Sequence, residues 1–332
     1  MARARKADRE VMDRVLTLEL VRVTERAAIA AAALRGRGDE RLADRAAVDA
    51  MWDELNRLNV RGRIVIGAGE KGEAPKLFAG EEVGAGEGPE VDIAVDPLDG
   101  HTLCAKNLPN SLAVIAITRR GGLLNAPDLY MDKIAVGPGY PAGLVDLTMP
   151  AEEAIGRLAE ARGVRPREVS ACILDRPRHA QLIEAVRSTG ASIRLIGDGD
   201  VAGIVNTTDP DTSGIDIYLG SGGACEGVLA AAALRCIGGQ MCGRLIADSE
   251  EKRRRARDKG IRDPGRIYSA EDMASGDVLF AATGVTEGSL LGGVRFGRGT
   301  MTTYSIVTRS HTGTQRWVRA KHRLGEKLAL AD

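Results

Sequence analysis

Asp96 and Asp99, three residues apart, stand where the β-branched alternating run of Val91-Asp92-Ile93-Ala94-Val95 meets Pro97 and Gly100. Pro97 lacks a backbone donor and Gly100 tolerates unusual φ, so the pattern predicts that the strand turns here. Carboxylates fixed at a strand end suit a hard cation such as Mg²⁺, which takes oxygen ligands from one or two protein carboxylates. Asp-Pro and Asp-Gly are also ordinary turn formers, and that reading accounts for the same residues.

Three more stretches carry candidate chemistry. In Gly197-Asp198-Gly199-Asp200, small residues let a ligand approach the backbone while carboxylates accept bonds from sugar hydroxyls; Asp and Gly are equally common at turns and N-caps. In Gly220-Ser221-Gly222-Gly223-Ala224-Cys225-Glu226-Gly227, a glycine turn enters a helix and Glu226 stands at its N-terminus, where it can hold a cation. That spacing does not supply the G-x-G-x-x-G of a dinucleotide site. In Arg176-Pro177-Arg178-His179, two guanidiniums at a strand end have the shape for bidentate contact with a phosphate, although a solvated helix start would look the same.

Composition narrows the field. The 332 residues carry 46 basic and 46 acidic side chains, which gives no nucleic-acid footprint and no polybasic membrane anchor, and 3% aromatics argue against a base-stacking surface. The 44% hydrophobic content suffices for one elaborate domain or two lobes. Five cysteines without a C-x-x-C pair point to reduced thiols in the cytoplasm, with Cys104 and Cys225 read as small packed side chains. The basic start, MARARKADRE, has no apolar stretch behind it and does not read as a signal peptide, and no apolar run approaches the roughly 20 residues that cross a bilayer.

The elements that must position these residues follow from periodicity. Met12, Val15, Leu16, Leu20, Val23 and Ala27 predict an amphipathic helix to about Leu34, ended by Gly36 and Gly38. Ala43 to Asn59 repeats the pattern, with Asp44 in its first turn as a dipole or capping residue. Strands are expected at Arg63–Ile66 and Leu112–Ile117, and Gly67 to Gly88 reads as a mobile loop at the mouth of a site. Beyond a helix between Pro150 and Gly163, strands at 171–174, 192–196 and 215–219 alternate with helices at 179–188, 201–206 and 227–237. That alternation predicts parallel strands with crossover helices, hence an α/β layered fold. A charged helix at 249–262, strands near 278–281 and 301–308 and a basic tail complete the chain. The lobe boundary is expected at Gly139–Pro150, giving an N-terminal metal-binding lobe (1–148) and a C-terminal sugar-phosphate lobe (149–332).

Taken in order, DPLDG with a downstream Thr, LNAPDLYMDK, RPRH, GDGDVAG and GSGGACEGVLAAAALRCIGG resemble the class II fructose-1,6-bisphosphatases, from about Leu18 to about His322. The resemblance implies the α/β/α/β/α layered sandwich of the lithium-sensitive, metal-dependent phosphatases and a homo-oligomer, dimer or tetramer. It implies Mg²⁺ or Mn²⁺ on Asp44, Asp96, Asp99 and Glu226, and a sugar and its distal phosphate on Asn110, Tyr130, Arg176, Arg178, Asp198 and Asp200. The metals of such an enzyme polarise the phosphoryl group and acidify a bound water for in-line attack.

The chain departs from the family where the chemistry would be densest. A family metal-ligating Glu is Ala68, an Asp near the attacking water is Gly72, the Thr after DPxDG is His101, and a Lys before Asp44 is Glu40. Glu70, with Glu73, is a candidate to replace the missing carboxylate; His101, Asp99 and Glu70 are the candidates for catalysis. The expected activity is metal-dependent hydrolysis of a ketose bisphosphate such as fructose 1,6-bisphosphate or sedoheptulose 1,7-bisphosphate. Two alternatives fit the substitutions: a sugar-phosphate isomerase, epimerase or dehydratase with His101 as acid/base, and a non-catalytic sugar-phosphate binder.

Overall fold

The structure, a computed structural model, describes residues 16–323. Met12, Val15, the basic start and the chain beyond Arg323 lie outside the described residues. Helix α1, Leu16–Ala32, buries Leu20, Val23, Ala27 and Ala31 on the stripe that the spacing predicts. It is followed by α2, Glu40–Leu55; β1, Arg61–Ile66; β2, Glu82–Val83; β3, Glu90–Asp99; α3, His101–Ala105; and β4, Leu112–Arg119. Next come β5, Tyr130–Val136; α4, Ala151–Arg162; β6, Ser170–Leu174; α5, Ala180–Ser188; β7, Ser192–Ile196; α6, Asp200–Val205; β8, Ile217–Gly223; α7, Ala224–Ile237; β9, Gln240–Leu245; α8, Glu250–Asp258; and β10, Tyr268–Ser269. The last strands are β11, Leu279–Gly284; β12, Arg295–Gly297; β13, Thr300–Arg309; and β14, Thr314–Arg323.

The described residues pack as two compact α/β units, one made of residues 16–121 and 277–323, the other of residues 122–276. The divide therefore does not fall once, near Gly139–Pro150: strands β11–β14 belong with the N-terminal elements. In the first unit the sheet order is β12-β13-β11-β4-β3-β1-β2, with β14 on β13. Its core places α1 and α2 against the sheet, with Leu20, Met51 and Leu55 packed together with Ile93, Ile115, Leu279 and Val307. In the second unit the order is β10-β9-β5-β8-β6-β7, and α4 and α5 cover one face through Leu158, Val186, Ile134 and Ile217.

The three strands of the alternating segment, β6, β7 and β8, pair in parallel as their spacing predicts, with β6 between the other two, while most other pairings are antiparallel. Parallel pairing is found at β1–β3, β6–β7 and β6–β8, whereas β3–β4, β4–β11, β11–β13, β5–β8 and β5–β9 are antiparallel. In the second sheet β5 inserts between β8 and β9, which follow it by some eighty residues or more, so chain order does not give spatial order there. The basic tail is instead β14, paired with β13 along its whole length. The glycine-rich segment contains β2 and is tied to α2: Trp52 Nε1 donates to Glu81 (2.8 Å), and Lys76 pairs with Asp49 (2.7 Å) while lying 4.5 Å over the Trp52 ring. No helix among the described residues is long and apolar enough to cross a membrane.

Candidate active site

Each unit gathers its own share of the candidate residues. In the first, β3 runs through Asp96 to Asp99 rather than turning at Asp96. The pairing slips between them, Asp96 standing opposite Val114 and Asp99 opposite Leu112, so three steps on one strand match two on the other. That is a β-bulge, and Pro97, which cannot donate to the ladder, is the residue that it accommodates. Asp96 Oδ1 accepts from Leu98 N (3.1 Å), Asp99 is buried, and Ser111 Oγ donates to the Asp99 carbonyl (2.9 Å). Gly100 then takes φ +73, a left-handed conformation that a side chain would strain, and opens α3 at His101.

The turn before α2 is pinned to α3, because Gly36 N donates to Cys104 O (2.9 Å) and Gly38 N to Ala105 O (3.0 Å). This sets the start of α2 beside His101. The helix begins one turn earlier than its hydrophobic period suggests, with Asp39 as the cap (Leu42 N to Asp39 Oδ1, 2.9 Å), so Asp44 sits in the second turn and is not the capping residue. Burial holds the Asp44 carboxyl above its ordinary range, and the nearby His101 opposes that shift. His101 Nε2 lies 3.8 Å from Glu40 Oε2. Two departures from the family pattern, Glu40 for Lys and His101 for Thr, thus face one another.

Glu70 lies in a tight turn whose carbonyl accepts from Glu73 N (3.0 Å) and Ala74 N (3.2 Å). Ala68 and Gly72 are exposed, and Gly72 takes φ +95. Asn110, also left-handed, spends its Oδ1 on Ser289 N (2.9 Å) and Ser289 Oγ (3.2 Å), fixing the segment after Glu287.

The second unit assembles a denser polar group. Arg178 Nε donates to Ser221 Oγ (3.0 Å), its Nη2 donates to Ser221 O (2.7 Å), and its guanidinium lies 4.7 Å over the Tyr130 ring. Buried His179 braces this from behind: Nε2 accepts from Ser221 N (2.9 Å) and Nδ1 donates to Leu174 O (2.7 Å). Burial lowers the His179 pKa, as do the Arg178 and Arg176 charges, against the Leu174 bond and Asp132. Arg176 Nη1 turns to Asp175 O (3.0 Å), and Asp198 Oδ1 accepts from Gly199 N (3.0 Å).

Asp200, the first residue of α6, forms a buried ion pair with Lys133, whose Nζ also donates to Gly223 O (2.8 Å). Glu226, in the first turn of α7, has its pKa raised by burial first and by Asp200 second, with Lys133 opposing. The glycines explain the tightness. A methyl at Gly222 would overlap Asp200 Oδ2, and one at Gly223 would overlap Glu226 Oε2. Lys133, Ser221 and His179 stand within the sequence motifs, but local spacing gives none of them a role. The signal for Lys133 is a lysine directly before the apolar run Ile134-Ala135-Val136, which burial permits only beside a carboxylate.

Asp44, Asp96 and Asp99 belong to the first unit and Glu226 to the second. Among the described residues no group of three or more His, Cys, Asp or Glu side chains is arranged to hold a metal ion.

Residues 14–322 match the family described as bacterial fructose-1,6-bisphosphatase, glpX-encoded. A protein of Trichodesmium erythraeum (strain IMS101), named D-fructose 1,6-bisphosphatase class 2/sedoheptulose 1,7-bisphosphatase, is 42% identical over 96% of this chain and 99% of its own. One of the same name from Synechococcus sp. (strain JA-3-3Ab) is 44% identical over 94% of this chain and 96% of its own. The chain belongs to the glpX-encoded, class II fructose-1,6-bisphosphatase family.

Proposed function

We propose that this chain hydrolyses a phosphate ester of a ketose bisphosphate, with fructose 1,6-bisphosphate and sedoheptulose 1,7-bisphosphate, the compounds in its relatives' names, as the first substrates to test. The observation that carries the reading is Arg178, held by two hydrogen bonds to Ser221 and stacked on Tyr130. A guanidinium fixed in this way meets a phosphate without losing side-chain freedom on binding. Asp200, oriented by Lys133, and Asp198 present carboxylate oxygens suited to sugar hydroxyls.

Carboxylates of this kind are ligands for Mg²⁺ or Mn²⁺, and a divalent cation belongs to the proposal. The donor set as it stands is incomplete. Ala68 has no ligand atom in its side chain, and the Lys133 ammonium already lies beside Asp200 and the Gly223 carbonyl. The acid/base alternative centred on His101 has no observation in its favour, since that imidazole is 56% exposed and lies toward Glu40.

Purified protein with Mg²⁺ or Mn²⁺ is expected to release inorganic phosphate from at least one of the two bisphosphates, and Arg178→Gln is expected to raise KM by about 10- to 100-fold through loss of a charge-assisted contact. Absence of phosphate release from either compound with either cation would overturn the proposal. A homo-oligomer in a cytoplasmic setting is part of the same reading, and the oligomer is open to sedimentation analysis.

A further inference from the structure

Ser221, Asp132 and Arg244 lie side by side across three strands, because the register sets Asp132 opposite Ser221 on β8 and opposite Arg244 on β9. Strand alternation points Asp132 to the same face as Ile134, the face covered by α4 and α5, and points Lys133 to the other. On the Asp132 face opens a recess of about 300 Å³, lined by Arg178, Ser221, Asp132 and Arg244 on the polar side and by Leu147 and Leu182 on the apolar side. The resemblance assigns Arg178 to phosphate, but it assigns nothing to Arg244 or Asp132.

Each arginine has a partner that orients it, Arg178 through two bonds and Arg244 through one. Ser221 fixes Arg178 through Nε and Nη2, and Asp132 fixes Arg244 through Nη2 at 3.1 Å. A guanidinium has five N–H donors, so each keeps several that are not used in these bonds. Asp132 and Asp146 balance the two charges; the Asp146 pKa is lowered mainly by its bonds from Thr148, with Arg244 contributing. The volume is at the small end for ligand pockets and takes one end of a sugar bisphosphate rather than the whole molecule. Two guanidinium forks lining one recess suit an anion with several acceptor oxygens.

The geometry points to Arg244 as a second phosphate-reading cation: together with Arg178 it receives, in the recess that both line, the phosphate that is not cleaved. This rests on the proposed ketose bisphosphate substrate. Arg244 then sets the preference for a bisphosphate over a monophosphate.

The test is calorimetric dissociation constants of the full chain for fructose 1,6-bisphosphate and for fructose 1-phosphate, which lacks the distal phosphate. Wild type is expected to favour the bisphosphate, and Arg244→Gln to shrink that preference by about tenfold or more, the loss of one charge-assisted contact. Arg244→Lys, which keeps a cation beside Asp132 but loses the fork, is expected to shrink it less and serves as the reporter if the Gln variant does not fold. A merely structural role for Arg244 would weaken both ligands alike. Equal weakening, an unchanged preference, or a wild type without preference would overturn the inference. Should wild type release no phosphate while its preference still depends on Arg244, hydrolysis falls and the recess assignment stands.

Discussion

His179 accepts the Ser221 amide proton at Nε2 while donating Nδ1–H to Leu174 O, a pair of bonds that only the neutral imidazole makes. Its folded pKa lies below the ordinary 6.5, so the unfolded chain binds the proton more readily. The stabilisation is present in full above the ordinary value and is lost as pH falls through it toward the lowered folded value. Wild type is expected to lose stability between about pH 7.5 and about pH 5.5 with a slope of up to about 1.4 kcal/mol per unit from this group, and His179→Gln to remove that component, as read by urea denaturation at each pH. Lys133 is a second test at this scale. Lys133→Met leaves Asp200 and Glu226 without their cation and is expected to cost about 3–5 kcal/mol, measured by the same denaturation at neutral pH. The sequence named Asp200 and Glu226 but not the lysine, because Lys133 is far from both in the chain and only the sheet brings it near.

At the scale of elements, glycines decide what can stand next to what. A methyl on Gly222 collides with the Asp200 carboxylate, so Gly222→Ala is expected to cost about 1–3 kcal/mol and to disturb the Lys133–Asp200 pair; calorimetric melting of the variant checks it. Ser170–Leu174 and Ser192–Ile196, set between helical segments in a regular alternation, are legible within a residue. β5 and β9 are not, because their apolar runs are broken by Asp132 and Lys133 in one and by Gly243 and Arg244 in the other. The strand through Asp99 was misjudged for a related reason. Proline reads as a stop, yet a bulge lets the ladder continue past it. In β14, Arg316, Arg319, Lys321 and Arg323 resemble a solvated tail, and only pairing with β13 makes them a strand.

On the scale of the whole molecule, the first unit is completed by strands that follow the entire second unit. β11 pairs with β4 on one side and β13 on the other, and Leu279 and Ala281 sit in the core with α1. A chain ended after Gly276 is expected to lose the cooperative transition of the first unit, since α1 and β4 would expose Leu20, Val23 and Ile115. Circular dichroism melts of the truncated and full chains check this, and an unchanged transition for the first unit would count against it.

By itself the sequence determined the local and the compositional: the amphipathic stripe of α1, the glycine-bounded turns, the α/β class, the carboxylates and arginines available for a phosphate ester, and through the ordered motifs the family. Tertiary structure alone decided the partners: Lys133 for Asp200, Asp132 for Arg244, Ser221 for Arg178, and Glu40 for His101. Helical period and turn preference act over a few residues and leave a trace in the local pattern. Sheet register and the packing of helix starts join residues tens to more than a hundred positions apart, and these ion pairs and bonds are selected at that range.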